Sequence, residues 1–199
     1  IKLQFMKNNK VNISVFSRYL ILIIVFLFSY LFYLSAPTLY NYGELQKELT
    51  KKLSKEFNLD TALSASINYK ILPSPNFEIS NVFLYSKVDN KFNDYAQIKK
   101  MKIYVYQENL HNQKKLKIKN IVISDANFDI HENSYNHINN LINQRTSNKK
   151  IIIKKSKIFF RENSSEKKVL VLSSINKSKL FRDKKNNNTL NIDGTIYNT

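Results

Sequence analysis

From Tyr19 to Leu34 the chain is apolar almost without a break and carries no charge (YLILIIVFLFSYLFYL). Extended to Ala36, this run makes a helix of about 27 Å, enough for a slightly thin bilayer. The pattern then changes. Leu45, Leu49, Leu53 and Phe57 recur at four-residue steps, with Leu39 and Tyr42 extending the stripe. Glu44, Lys47, Glu48, Lys51, Lys52, Lys55 and Glu56 fall on the opposite face. This spacing predicts a short amphipathic helix with its stripe on a sheet; a helix lying on a membrane surface is the alternative. From Thr61 the period becomes two. Leu63, Ala65, Ile67, Tyr69 and Ile71 alternate with smaller or polar residues until Pro73-Ser74-Pro75 ends the strand. Phe77 and Ile79 lead into Val82 and Leu84 with a phase change that predicts a bulge. Met101, Ile103 and Val105 alternate with Lys102, Tyr104 and Tyr106. Leu116 with Ile118, Ile121 with Ile123, and Phe128 with Ile130 come next. Ile151 with Ile153, Ile158 with Phe160, Val169 with Val171, and Leu190 with Ile192 supply further strand cores. Asn136 to Asn143 is a short helical candidate.

The pattern predicts a mainly β chain with an N-terminal transmembrane helix, a short amphipathic helix and about seven to nine strands. One apolar and one wet face favour antiparallel pairing. A sandwich fits less well, because its hairpins usually need glycine and only two are present. The expected form is an antiparallel curved sheet or β-groove whose apolar concave side is covered by helix, partner or lipid. Residues 1–18 read as a cytoplasmic flank, 19–36 as the transmembrane anchor, 37–60 as linker and amphipathic helix, and 61–199 as the β domain. The run from Ile192 to Tyr197 reads as a strand in progress, and the chain opens at Ile1. The sequence is therefore expected to be the N-terminal piece of something longer.

Charge sets the expected orientation. Lys2, Lys7, Lys10 and Arg18 precede the anchor with no acidic residue among them. The positive-inside rule keeps that flank in the cytoplasm and exports the chain beyond Pro37. Leu34-Ser35-Ala36 could mimic a signal-peptide cleavage site, but Pro37 directly after it and the length of the apolar run favour an uncleaved anchor. Tyr30, Tyr33 and Tyr40 suit the far interface. Net charge is +17, from 32 Lys and Arg against 15 Asp and Glu. Such a surface attracts anionic headgroups or nucleic acid. The joint abundance of Lys, Asn, Ile and Tyr also fits an AT-rich codon bias, which would make much of this charge solvated surface. The absence of cysteine excludes disulfides, thiol catalysis and thiolate metal sites. Triplets such as Asn163-Ser164-Ser165 and Asn187-Asn188-Thr189 are expected by chance in a chain this rich in Asn and Ser.

Little here points to chemistry. Gly43 and Gly194 are the only glycines, so no dinucleotide fingerprint or phosphate loop can be built. There is no nucleophile elbow and no zinc-protease helix motif. His131-Glu132 with His137 fits no usual metal spacing. Asp125 and Asp129 read as solvent-facing strand residues sharing a face rather than an acid–base pair. No catalytic residue, metal or cofactor is assigned, and an enzyme is not expected. Lysines interleaved with Tyr and Phe, among them Lys99, Lys100, Lys102, Lys117, Lys154 and Lys157, raise an exported nucleic-acid-binding domain as one alternative. Lysine alternating with core residues is also what an outer strand face looks like, so nucleic acid is not the expected partner. A structural envelope protein without lipid cargo is the other alternative.

Several segments together resemble the N-terminal region of the AsmA family. Pro73-Ser74-Pro75 leading into Phe77-Glu78-Ile79-Ser80-Asn81-Val82-Phe83-Leu84 resembles its proline-rich turn and following strand. Tyr95 to Ile103, Leu116 to Ala126, Asn136 with Leu141, Ile151-Ile152-Ile153 with Lys157-Ile158-Phe159-Phe160, and Asn191-Ile192-Asp193-Gly194-Thr195-Ile196 resemble later elements, in the same order. The family usually carries glycine at the helix-to-strand junction, where this chain has Asn58-Leu59-Asp60. It also usually carries glycine before the Asn segment and tryptophan after it, where this chain has Ser134-Tyr135 and His137.

The resemblance implies a bacterial inner-membrane, single-pass protein with a periplasmic domain. It implies a part in phospholipid transport between membranes or in outer-membrane biogenesis and envelope homeostasis. The implied partners are membrane lipids, phospholipid above all, and envelope proteins. Apolar strand residues Ile67, Phe77, Ile79, Leu84, Ile103, Val105, Ile121, Ile123 and Phe160 are the lipid-binding candidates, lining either a core or a groove. Seven strands laid side by side give only about 35 Å, so this piece could accept a lipid at the membrane but not cross a wide periplasm.

Overall fold

A computed structural model describes residues 15–64, 66–88, 91–162 and 168–198. Lys2, Lys7, Lys10, Ala65 and the Asn163-Ser164-Ser165 triplet lie outside the described residues.

Helix α1 (Val15–Ser35) contains 21 residues, about 32 Å at the α-helical rise. From Val15 to Phe32 its large apolar side chains are exposed, and Leu34 alone is buried. A helix this apolar and so little covered by protein is suited to lipid as its solvent. A 3-10 turn from Ala36 to Leu39, opened by Pro37, separates it from α2 (Tyr42–Phe57). The Asn41 side chain caps α2 by accepting from the Glu44 N–H at 3.1 Å, and Glu44 complements the helix dipole. Asn58 closes α2 in the left-handed conformation at φ 53°. It fills the place where the family usually has glycine. Leu45, Leu49 and Leu53 are buried as the stripe predicts. Leu39 and Tyr42 are not part of it: both are exposed, because the helix begins only at Tyr42.

The strands are β1 (Asp60–Leu63), β2 (Ile67–Lys70), β3 (Asn76–Val88), β4 (Lys91–Val105), β5 (Ile118–His131), β6 (Lys150–Arg161), β7 (Val169–Arg182) and β8 (Asn188–Asn198). They form one open, curved sheet in the order β1-β3-β4-β5-β6-β7-β8, with β2 beside β1 on the same edge of β3. Two strand boundaries differ from expectation. The alternation from Leu63 to Ile71 belongs to two short strands, both paired to β3. The separate runs around Ile153 and Ile158 belong to one strand, β6. One pairing also differs: β5 and β6 run parallel, with α3 (Tyr135–Asn143) in the crossover, whereas the other strand pairs are antiparallel. Parallel neighbours need such a crossover, and period-two alternation by itself cannot distinguish the two directions.

The predicted phase change recurs across the sheet. Inward-facing residues step by two along each strand and then by three: Ile79 to Val82, Ile123 to Ala126, Ile153 to Ser156 and Ile175 to Ser178. Asn81 (φ 52°), Asp125 (φ 54°) and Lys155 (φ 47°) occupy the left-handed region at three of these steps. At the fourth, the β7–β8 register shifts beside Asn176. A row of local twists at one level bends the whole sheet and makes one side concave. Helix α2 fills the β3–β5 part of that side. Phe77, Ile79, Val82, Ile98, Met101, Ile103 and Ile121 pack beneath it with no exposed surface.

Candidate functional site

Helix α2 does not reach the β6–β8 half of the concave face. Registered rows cross that half: Ile121–Ile151–Leu180–Leu190, Ile123–Ile153–Ser178–Ile192 and Phe128–Ile158–Ser173–Ile196. Helix α3 lies over part of it with Ile138, Leu141 and Ile142, which share a helix face by their spacing. Between sheet, α3 and the C-terminal end of α2 is a cavity of about 420 Å³. Its walls are mainly apolar and include Phe128, Ile153, Ile158, Leu180 and Ile192. The volume lies within the about 300–1,000 Å³ typical of small-molecule sites. Toward β8 the face opens to solvent, with Ile192 55% and Ile196 74% exposed.

Polar groups gather at one corner. Glu56 is almost fully buried at the end of α2. It accepts from Arg145 Nη2 at 2.6 Å, Ser147 Oγ at 2.9 Å and Lys149 Nζ at 2.7 Å. This cluster ties α2 to the segment entering β6. On its other side is a second cavity of about 610 Å³, lined by Lys52, Lys55, Lys117, Lys119 and Lys149, with Lys55, Glu56, Thr146 and Ser147 shared by both.

The anchor meets the domain through its interfacial tyrosines. Tyr30 Oη donates to Gln107 Oε1 at 2.9 Å, and Tyr33 Oη donates to the Gln107 carbonyl at 2.8 Å. Tyr69 Oη donates to the Leu34 carbonyl at 2.7 Å, and Tyr40 Oη donates to the Leu110 carbonyl. Burial pushes the Tyr40 and Tyr69 phenols up to about 12, so both remain donors at any ordinary pH. These bonds place the β2–β3 turn and the β4–β5 connection beside the end of α1.

The nine lipid-binding candidates separate into three groups. Ile67, Phe77, Ile79, Ile103, Val105, Ile121 and Ile123 are buried in the core cluster and are not among the residues lining the cavity. Leu84 is buried and also borders the cavity. Phe160 pairs with Ile130 one step beyond the cavity wall, half-buried on the same concave face. Alternation marks the inner face of every strand alike. It does not reveal that α2 seals one half, which is why it does not single out the cavity-lining residues of β7, Ile175, Ser178 and Leu180. Asp125 occupies one of the left-handed steps at φ 54°, and Asp129 accepts from Arg161 Nε at 2.6 Å. His137 stacks on Tyr95 with ring centroids 5.9 Å apart.

The family model for the AsmA family matches residues 6–191, nearly the whole chain. The chain belongs to the AsmA family. No curated protein sequence matches it significantly. The family match spans α1, both covering helices and the sheet as far as β8, so the cavity is a feature of its AsmA region.

Proposed function

We propose that this AsmA-family chain is a single-pass protein of the bacterial inner membrane, with its N-terminus cytoplasmic and its β domain periplasmic. Its role is to take up phospholipid at the membrane and take part in lipid transport between membranes or outer-membrane biogenesis and envelope homeostasis. It acts by carriage rather than catalysis, with membrane lipids and envelope proteins as partners.

The observation that carries this reading is the apolar cavity on the concave face of a domain hydrogen-bonded to a membrane-length helix. Each methylene moved from water into such a cavity gains about 0.8 kcal/mol. One acyl chain therefore repays leaving contact with water. The wide opening toward β8 lets a chain enter without threading a closed barrel. The test is native mass spectrometry of the full chain after gentle extraction. Phospholipid is expected to remain bound to the wild type and to be largely lost from Ile192→Asp, which puts a charge on the cavity wall. Wild-type protein free of lipid under the same extraction would contradict the reading.

A further inference from the structure

The apolar wall of the cavity is broken by one guanidinium. Arg145 lines the cavity with only 5% of its side chain exposed. Its Nη2 donates to Glu56 Oε1 at 2.6 Å and to the Lys149 carbonyl. Its Nε and Nη1 are buried and have no hydrogen-bond partner. Buried donors left unmade are costly and uncommon, so each calls for an explanation. A second orphan lies on the same cavity wall: Ser178 Oγ, on a residue 1% exposed, also has no partner.

The charge balance points the same way. The Glu56 carboxylate faces two cations, Arg145 and Lys149, at 2.6 and 2.7 Å. One negative group against two positive ones leaves a net positive charge at the corner. The second cavity, lined by four lysines besides Lys149, adds to that field from the other side of the Glu56–Ser147 wall. An apolar chamber with an under-satisfied guanidinium in its wall is complementary to a molecule with a hydrocarbon tail and an oxyanion.

We propose that Arg145 is the headgroup anchor for an anionic lipid with one chain in the cavity, whose carboxylate or phosphate oxygen accepts from its unpartnered N–H groups, with Ser178 as a further donor on the wall. The proposal rests on the reading of the cavity as an acyl-chain site and adds to it the charge and position of the head. A volume of about 420 Å³ suits one chain. The core under α2 is closed, so the tail runs along the β6–β8 half.

The full chain, held in amphipol, can be tested with the neutral fluorescent probe N-phenyl-1-naphthylamine and four competitors: palmitate, hexadecyl phosphate, hexadecanol and inorganic phosphate. Palmitate or hexadecyl phosphate should displace the probe about ten- to a hundredfold more strongly than hexadecanol, as charge-assisted hydrogen bonds at a buried site require. The relative strength of those two identifies the oxyanion. In Glu56→Gln/Arg145→Gln, which removes both charges together, the preference should vanish while the probe still binds. Ser178→Ala leaves the ion cluster intact and should weaken the preference severalfold, so the proposal stays testable if the double variant misfolds. Equal displacement by hexadecanol and palmitate would overturn the headgroup proposal and leave the acyl-chain site standing. Displacement by inorganic phosphate alone would also overturn it, marking a pocket for free anions. A wild-type chain that binds no probe and responds to no competitor would overturn the acyl-chain reading, and this proposal with it.

Discussion

At the scale of single residues, asparagine does much of the work that glycine does in other sheets. Six described residues outside glycine have positive φ: Asn58, Asn81, Asn109, Asp125, Lys155 and Asn186. Five are Asn or Asp, whose short polar side chains tolerate the left-handed region better than other L-residues. A scarcity of glycine therefore did not mean a scarcity of turns, and Asn58 could have been read as a helix stop. Gly194 is needed for a different reason. A Cβ there would stand 2.1 Å from the Ser174 carbonyl oxygen, where β7 and β8 approach across the register shift. On the convex face, Glu78 is surrounded by Lys100 at 2.5 Å, Lys70 at 2.7 Å and Lys102 at 3.7 Å. Hydrogen bonds from Lys100 and then Lys70 lower its carboxyl from 4.5 to about 2. A carboxyl lowered by folding stabilises the fold above its unfolded value, and that contribution is lost as pH falls from about 4.5 toward 2. Glu78→Gln should cost about 1 kcal/mol at pH 6, allowing for solvent screening of the exposed lysines, and almost nothing at pH 2. Denaturant melts of both proteins at the two pH values check this; an equal difference at both would contradict it.

At the scale of elements, sequence and structure agree where a side-chain period repeats over several turns or strand steps. The α1 run, the Leu45–Leu49–Leu53 stripe, the short helix after β5 and the bulge after Ile79 were all legible because burial imposes a period on each. The direction of β6 was not, since a strand buries the same alternate residues whichever way it runs. Nor was the partition of the concave face, because which part α2 covers is set by the length of the 36–41 connection and by the Glu56 cluster, not by any strand's own pattern. Glu56 itself looked like one of several charges on the wet face of α2. Only the distant Arg145 and Lys149 turn it inward. The role of α2 gives a direct prediction. Leu49 has no exposed surface and contributes to the core from the middle of the helix. Leu49→Ala should destabilise the domain by about 2–5 kcal/mol. If α2 instead rested on the membrane surface, the same change would weaken vesicle binding and leave the denaturant midpoint unchanged.

At the scale of the whole molecule, one curved sheet carries two different interiors. Under α2 it is a closed core that holds the domain together. Beyond α2 the same alternation continues over β6, β7 and β8 without a helix long enough to cover it, and that uncovered half forms the cavity. Hydrogen bonds to Gln107 and to the Leu34 carbonyl tie β2 and the β4–β5 connection to the end of α1. The convex side, rich in lysine, remains wet. The central claim is that the uncovered concave half holds lipid acyl chains in the cell. Site-specific photo-crosslinking from β8 tests it most directly, because Ile192 lines the cavity while Asn191, next to it, points to the opposite face. A benzophenone amino acid at Ile192 should capture phospholipid in intact cells, and the same group at Asn191 should capture little or none. Equal capture at the two positions, or none at Ile192, would contradict the account.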